Sequence, residues 1–347
     1  MEIGYVPYSP GLTNPSDRRR FPHYAALKGI RYELSSNVSD GLDVVILSSK
    51  ADIVGWSSLK RGKTRIIYEL IDSHLAMPDN KLWWNVLGTA KAITREIRRP
   101  VLNYRRTIEL MCERADAVIC SCPEQKRDLA SLNDRVYDIL DFNEEAGGRA
   151  KQDYEVGGTP LLVWEGLAYS VKHLRILAPV LARVGPDVRL RVVTDSSVPL
   201  LGAHYLNRDT GAVLNKLFTD FDLRPWERSS MPALVTGSDI AVIPIDLSDP
   251  VASAKPENKL MLLWRLGMPV VTSATPAYRR CMEAAGLDLV CESVDDWVGA
   301  IDSLLTSAGA RKHAAEAGAQ YVRAHCDTDE LIRRWDQVLA DVTEHKG

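Results

Sequence analysis

No apolar run in this 347-residue chain reaches the length needed to cross a membrane, which excludes a spanning helix. The opening MEIGYVPYSPG also lacks the basic start and long apolar core of a secretion signal, so a cytoplasmic protein is expected. Cysteine is sparse. The six residues are scattered, and only Cys120 and Cys122 lie close together, with no second pair at zinc-ligand spacing. Reduced, mostly buried thiols follow. Net charge is only -3, so no global field favours nucleic acid and any attraction to an acidic partner is local. An Asp-any-Asp metal motif after a strand is missing too. Asp220 and Asp222 flank Phe221 in a predicted loop, and Asp246 and Asp249 are spaced differently, so no metal site is expected.

What remains is a globular composition, with 46% hydrophobic and 26% charged residues and a mean hydropathy of -0.14. A chain of this length fits two domains of ordinary size. Short apolar runs at Ile3 to Pro7, Val44 to Leu47, Arg65 to Tyr68 and Ala117 to Cys120 read as strands, with Val136 to Ile139 a weaker one. Between them lie a helix capped by Ser16 and running to Leu27, and a helical segment from Trp83 to Glu113 interrupted near Pro100. The polar, glycine-rich stretch from Asn143 to Thr159 reads as a linker. Alternation then restarts, with strands at Leu161 to Trp164 and Arg189 to Val193 and helices at Lys172 to Val184 and Met231 to Gly237. The expected fold is α/β, two Rossmann-like doubly wound domains facing each other across a cleft. Their bounds are 1–150 and 151–328, and an amphipathic helix over 329–347 is expected to cross back to the first domain.

The stretch from Ser238 to Ala274 carries the most information. It reads as a buried strand over Ile240 to Ile245, a loop with Lys255 and Lys259, an amphipathic helix, and a second buried strand over Pro269 to Thr272. Pro256 suits a first helical turn, where its missing N–H has no intrahelical partner. Gly267 suits the helix end, where a left-handed residue is needed. Free amides at the helix start and two adjacent lysines would together hold a phosphate group.

Read in order, the second half has Trp164-Glu165-Gly166, Lys172, a strand ending in Asp195, Trp226, Asp239-Ile240-Ala241-Val242-Ile243-Pro244, Lys255, Lys259 and Gly267-Met268-Pro269-Val270-Val271. This order resembles the GT-B glycosyltransferases of the retaining group called family 4. The resemblance implies transfer of a sugar from a nucleoside-diphosphate sugar to an acceptor hydroxyl, independent of metal and of any cofactor beyond the donor itself. It implies that Lys255 and Lys259 face the donor diphosphate, with Gly166, Lys172, Glu257 and Asn258 as further donor-binding candidates. Two departures stand out. Leu167 occupies a position where the family often has Arg, and Ala254 and Leu262 stand where better-known members carry glutamates, the later one on the ribose. Glu257, near Leu262, is the replacement candidate for the ribose. The alternatives are a nucleotide-sugar 2-epimerase of the same architecture and a catalytically silent nucleotide-sugar-binding protein.

In the first half, Tyr68-Glu69-Leu70-Ile71-Asp72-Ser73-His74 follows a buried strand, where residues face the ligand side of a doubly wound sheet. Asp72 and His74 are the catalytic candidates, because a carboxylate can stabilise an oxocarbenium-like sugar and either group can serve as base. The first loop adds Gly11 for close backbone approach and Arg18 and Arg19 for phosphate or acceptor contact. Arg18, Arg19 and Arg20 are adjacent on a helix and point in different directions, so at most one or two reach the cleft and the others are expected to face solvent. A basic region, 91–106, holds Lys91, Arg95, Arg98, Arg99, Arg105 and Arg106, with Trp83 and Trp84 just before it. It offers a peripheral contact to the inner face of a membrane, or a grip on a polyanionic acceptor such as nucleic acid. The acceptor itself stays open, among a lipid-linked glycan, a small molecule and such a polyanion.

Overall fold

The computed structural model describes residues 1–35, 38, 41–77, 81–94, 96–143, 147–185, 187–200 and 203–344. The chain divides into two units. Unit 1 comprises Met1–Phe142, Ala254–Pro256 and Asp327–Gly347, and unit 2 comprises Asn143–Ser253 and Glu257–Cys326.

Unit 1 holds a six-stranded sheet of β1 (Ile3–Val6), β2 (Glu33–Leu34), β3 (Val44–Leu47), β4 (Arg65–Glu69), β5 (Ala117–Cys120) and β6 (Val136–Asp138), in the order β2-β1-β3-β4-β5-β6. Every pairing is parallel. All four residues of β1, β3 and β5 are buried, as expected of strands covered on both faces. The order reverses between β1 and β3, which makes the carboxyl ends of those strands the topological switch point. The first helix is split. Asn14, not Ser16, caps Pro15–Arg19 by accepting from Ser16 N–H (2.9 Å), and a second helix starts at Phe21. The predicted segment from Trp83 to Glu113 is two helices, Lys81–Ile93 and Tyr104–Arg114, and the second is capped by Asn103. The terminal helix, Thr328–Glu344, lies on unit 1 through Trp335, stacked on Tyr24 at 5.4 Å, while Tyr24 Oη donates to Asp336 (2.7 Å).

Unit 2 repeats the design with β7 (Leu161–Glu165), β8 (Arg189–Thr194), β11 (Asp222–Pro225), β12 (Ile240–Ile243), β13 (Val270–Ser273) and β14 (Val290–Cys291). Their order is β11-β8-β7-β12-β13-β14, again parallel throughout. The chain works outward from β7 to β11, then returns to start the other half at β12, so the switch point lies between β7 and β12. A hairpin of β9 (Ser197–Leu200) and β10 (Ala203–Asp209) stands apart from this sheet. The helix after β12 is Asn258–Arg265, with Glu257 as its cap residue, so Pro256 precedes the cap and is not in the first turn. Gly267 does adopt the left-handed conformation (φ 72°) that ends it. That helix packs on Ala308–His325 with little slack. A Cβ added to Gly318 would lie 2.2 Å from Trp264 Cδ1.

All six cysteines are free and buried, as the scattered spacing implies. Among the described residues no helix is long and apolar enough to cross a membrane.

Candidate functional site

Unit 2 brings one of its predicted cations to the switch point. Lys259, from the first turn of Asn258–Arg265, sends Nζ over the end of β7, where it donates to Glu165 O (2.5 Å) and lies 3.9 Å from the Glu165 carboxylate. The same ammonium sits 4.9 Å from the centroid of the Trp164 ring, a cation–π distance. Gly166 follows directly, and its lack of a side chain is what leaves room. A Cβ there would fall 2.5 Å from Lys259 Nζ and 3.0 Å from the Trp164 ring. Thr194 Oγ1 donates to Gly166 O (2.6 Å), which fixes this turn against the end of β8.

The loops after β7 and β12 tie to each other across the same crevice. Lys172 pairs with Asp249 (2.8 Å), Arg175 with Asp246, and His173 Nδ1 accepts from Asp246 N–H (3.2 Å). Burial alone would raise Asp249, but the Lys172 ammonium and the Ala252 amide hold it below the ordinary aspartate value. Lys172 is thus engaged with a carboxylate at the rim of the crevice. Glu257 is neither on the surface nor aimed at solvent. Its carboxylate is buried and bonded to Arg280 of the next helix (2.7 Å). Asn258 opens the helix that carries Lys259. Leu262 is buried in the core of unit 2 and has no polar group to offer.

Lys255 falls elsewhere. Ala254–Pro256 belongs with unit 1, where Ser73 Oγ donates to Ala254 O (2.6 Å). Asp72 and His74 flank that serine, and His74 Nε2 lies 3.9 Å from Asp72 Oδ2. Burial depresses the His74 imidazole below the ordinary histidine value. Asp72 opposes that shift, while the ammonium groups of Lys91, Lys50 and Lys255 add to it. A neutral imidazole beside an exposed carboxylate can accept a proton or a hydrogen bond from a hydroxyl.

The arginines of the first loop behave differently from one another. Arg18 donates to Thr13 O, and the Arg19 carbonyl accepts from Phe142 N–H (2.8 Å). Arg20 is buried and bonds Glu69 (2.8 Å), Asp141 (2.9 Å) and Ile139 O (3.1 Å), a network that sequence reading missed. Asp17 was also missed, although it organises the loop by accepting from Tyr5 Oη, Tyr8 N–H, Ser9 N–H and Ser9 Oγ. An acid two residues after a proline in a Ser/Asn-rich loop was the available signal. Gly11 is exposed, and a Cβ on it would meet only Thr13 at 3.6 Å. The left-handed residue of this loop is Leu12 (φ 54°). In the basic region, Arg98 bonds Asp52, Lys91 bonds Glu96 (2.6 Å) and Arg106 bonds Glu113 (2.8 Å), whereas Arg95 lies outside the described residues.

Two parallel six-stranded α/β units, each with a switch point, define the GT-B type of fold. Solved structures of that fold match the chain. HepE of Anabaena, in complex with UDP and glucose, superposes with a TM-score of 0.65 at 12% identity, over 98% of this chain and 99% of that one. WaaG, a glycosyltransferase involved in lipopolysaccharide biosynthesis, gives 0.60 at 13% identity over 98% and 99%. TarM gives 0.57 at 10% identity, with 85% of this chain matched to 54% of that one, so the chain spans about half the length of TarM. No protein-family model matches the sequence, and no curated protein does. At such identities the likeness is one of fold.

Proposed function

We propose that this chain is a glycosyltransferase that moves a sugar from a nucleoside-diphosphate sugar to an acceptor hydroxyl. The observation that carries the reading is Lys259, set at the switch point beside a glycine whose bare Cα leaves room for its ammonium. A departing diphosphate needs its charge neutralised, and a preorganised ammonium at a helix start supplies that without a metal. UDP in the fold neighbour HepE supports a nucleotide donor of this kind. In unit 1, Asp72 and His74 act on the sugar and the acceptor hydroxyl, with His74 neutral and able to accept a hydrogen bond at physiological pH. Retention of configuration, independence of metal and a cytoplasmic location complete the proposal. Lys255 contributes to the electrostatics around His74.

Thermal-shift screening against UDP-, GDP- and TDP-sugars identifies the donor, because a ligand of the folded state raises apparent stability. With that donor, Lys259→Ala should lower transfer by roughly ten- to a thousandfold. Unchanged turnover would remove Lys259 from the mechanism. Buried Leu262, in place of a ribose ligand, favours one second reading, a protein that binds a nucleotide sugar without turning it over. Donor binding with no nucleoside diphosphate released over a broad acceptor panel would select that reading.

A further inference from the structure

Glu165, the last residue of β7, keeps its carboxylate where an ionised group ordinarily has several hydrogen bonds. Its side chain is only 7% exposed. Among the described residues no N–H or O–H donates to this carboxylate, and the cation that approaches it, Lys259 Nζ at 3.9 Å, directs its short hydrogen bond to the Glu165 carbonyl instead. Removing a carboxylate from water on such terms is costly, and folded proteins leave few polar groups in that state. The neighbours add to the cost. Glu257 is a second buried acid, and the buried Tyr278 lies near both, its hydroxyl pushed up by burial first, then by Glu257, with Glu165 adding to it. The other carboxylates of the crevice are engaged, Glu257 with Arg280, Asp249 with Lys172 and Asp246 with Arg175. Glu165 alone of these four has a buried carboxylate to which the chain supplies no donor, and it stands at the switch point of the sheet.

The two charged groups together set what fits there. The Lys259 ammonium takes phosphate oxygens, whereas the carboxylate beside it repels them and accepts O–H groups, two at once where they are adjacent on a ring. At a strand end of a Rossmann-like unit, an acid in this position is suited to a sugar diol. Inorganic phosphate and pyrophosphate offer the lysine a partner and the glutamate none. A nucleoside-diphosphate sugar carries ring hydroxyls on both sides of its diphosphate, on the ribose and on the sugar to be transferred, and so supplies both groups.

We infer that Glu165 is a binding residue that holds sugar-ring hydroxyls next to the phosphate taken by Lys259. The inference rests on the donor reading of that lysine. Calorimetry of wild type, Glu165→Gln and Lys259→Ala with UDP, GDP and ADP, their 2′-deoxy analogues and the matching diphosphoglucoses tests it. For the nucleotide that binds, Glu165→Gln should lose about tenfold or more in affinity, the scale of hydrogen bonds to a charged acceptor. If the ribose is held, the wild-type preference for the ribonucleotide over its 2′-deoxy analogue disappears in Glu165→Gln. If the transferred sugar is held, the gain of the diphosphoglucose over the nucleoside diphosphate disappears instead, and either loss supports the inference. Lys259→Ala should weaken all of these ligands alike and leave both preferences in place. Urea unfolding adds a readout that a structural role would move the other way. Glu165→Gln removes a buried charge that lacks donors, so its midpoint should equal or exceed that of wild type. A midpoint well below wild type would make Glu165 a structural residue and overturn the inference. Unchanged preferences in Glu165→Gln, with binding still weakened by Lys259→Ala, would overturn it and leave the donor reading standing. Wild-type protein that binds none of these ligands would overturn both.

Discussion

The two units finish their sheets in opposite ways. At the carboxyl ends of the unit 1 strands, charge is spent on holding loops. Arg20 spans Glu69 and Asp141, and Asp17 gathers four donors from the first strand and its loop. In unit 2 the strand β7 ends on Trp164, Glu165 and Gly166, and beside the ion pairs that tie its loops the Lys259 ammonium rests on an aromatic face and a backbone carbonyl, 3.9 Å from the Glu165 carboxylate. Similar topologies therefore use ionic groups for different ends. Buried, mutually bonded charges fix loop geometry, whereas the Lys259 ammonium stands at a strand end, where an anionic ligand would compete for it.

Substitution should separate the two uses. The largest effect is expected at Arg20→Ala, which leaves Glu69 buried without its partner. Breaking such a pair from one side costs about 3–5 kcal/mol, to be read as a fall in the urea midpoint of the unit 1 transition. A midpoint within error of wild type would show that the cluster does not hold unit 1 together. Gly166→Ala comes next. Its new methyl meets the rigid Trp164 ring and the Lys259 ammonium, so donor affinity should fall with a stability loss of about 1–3 kcal/mol. Calorimetry with the donor found by screening reads both terms, and equal affinity would break the link between the glycine and the lysine.

The strand alternation was legible because strands covered on both faces are written as short apolar runs, and Val44 to Leu47 or Ala117 to Cys120 need no partner to be recognised. Edge and hairpin strands were mostly not, the edge strand Val136–Asp138 excepted. Glu33–Leu34 and Asp222–Pro225 carry polar residues at the sheet margins, and Ser197–Leu200 pairs outside the main sheet. Gly267 was readable from its local backbone demand alone. Arg20 was not, since its partner Glu69 is 49 residues away and only tertiary structure joins them. Lys255 and Lys259 look equivalent in the sequence, yet four residues of chain separate a group near His74 from one on Trp164. Adjacency along the chain says little about direction when a cap and a proline intervene.

Just below pH 6.5, above the range in which the lowered carboxylates take up protons, acid should act through His74. Burial holds its folded-state value below the ordinary 6.5, so the unfolded chain binds the proton more readily. Stability from this site is complete above pH 6.5 and is lost as pH falls from there through the folded value. His74→Gln should flatten that part of the stability–pH curve. If His74 must be neutral for transfer, the acid limb of kcat/KM lies below 6.5 and moves lower still in Asp72→Asn, because the carboxylate that raises the imidazole is gone. A limb that stays in place would take Asp72 out of that role. The smallest effect belongs to Lys172→Ala, whose ion pair with Asp249 is largely exposed. Stability should change by less than about 1 kcal/mol, and a turnover loss as large as that of Lys259→Ala would show that Lys172 reaches the ligand.

Gly318 gives the lysine site a dependence that nothing in the crevice discloses. The indole of Trp264 lies where a side chain at 318 would begin, so helix Ala308–His325 and the helix bearing Lys259 meet at a spacing set by one missing carbon. Any larger residue at 318 wedges the two helices apart, and Lys259 travels with its helix. The height of the ammonium above β7 is therefore tuned from a position 59 residues downstream, where one absent methyl sets the spacing of the two helices.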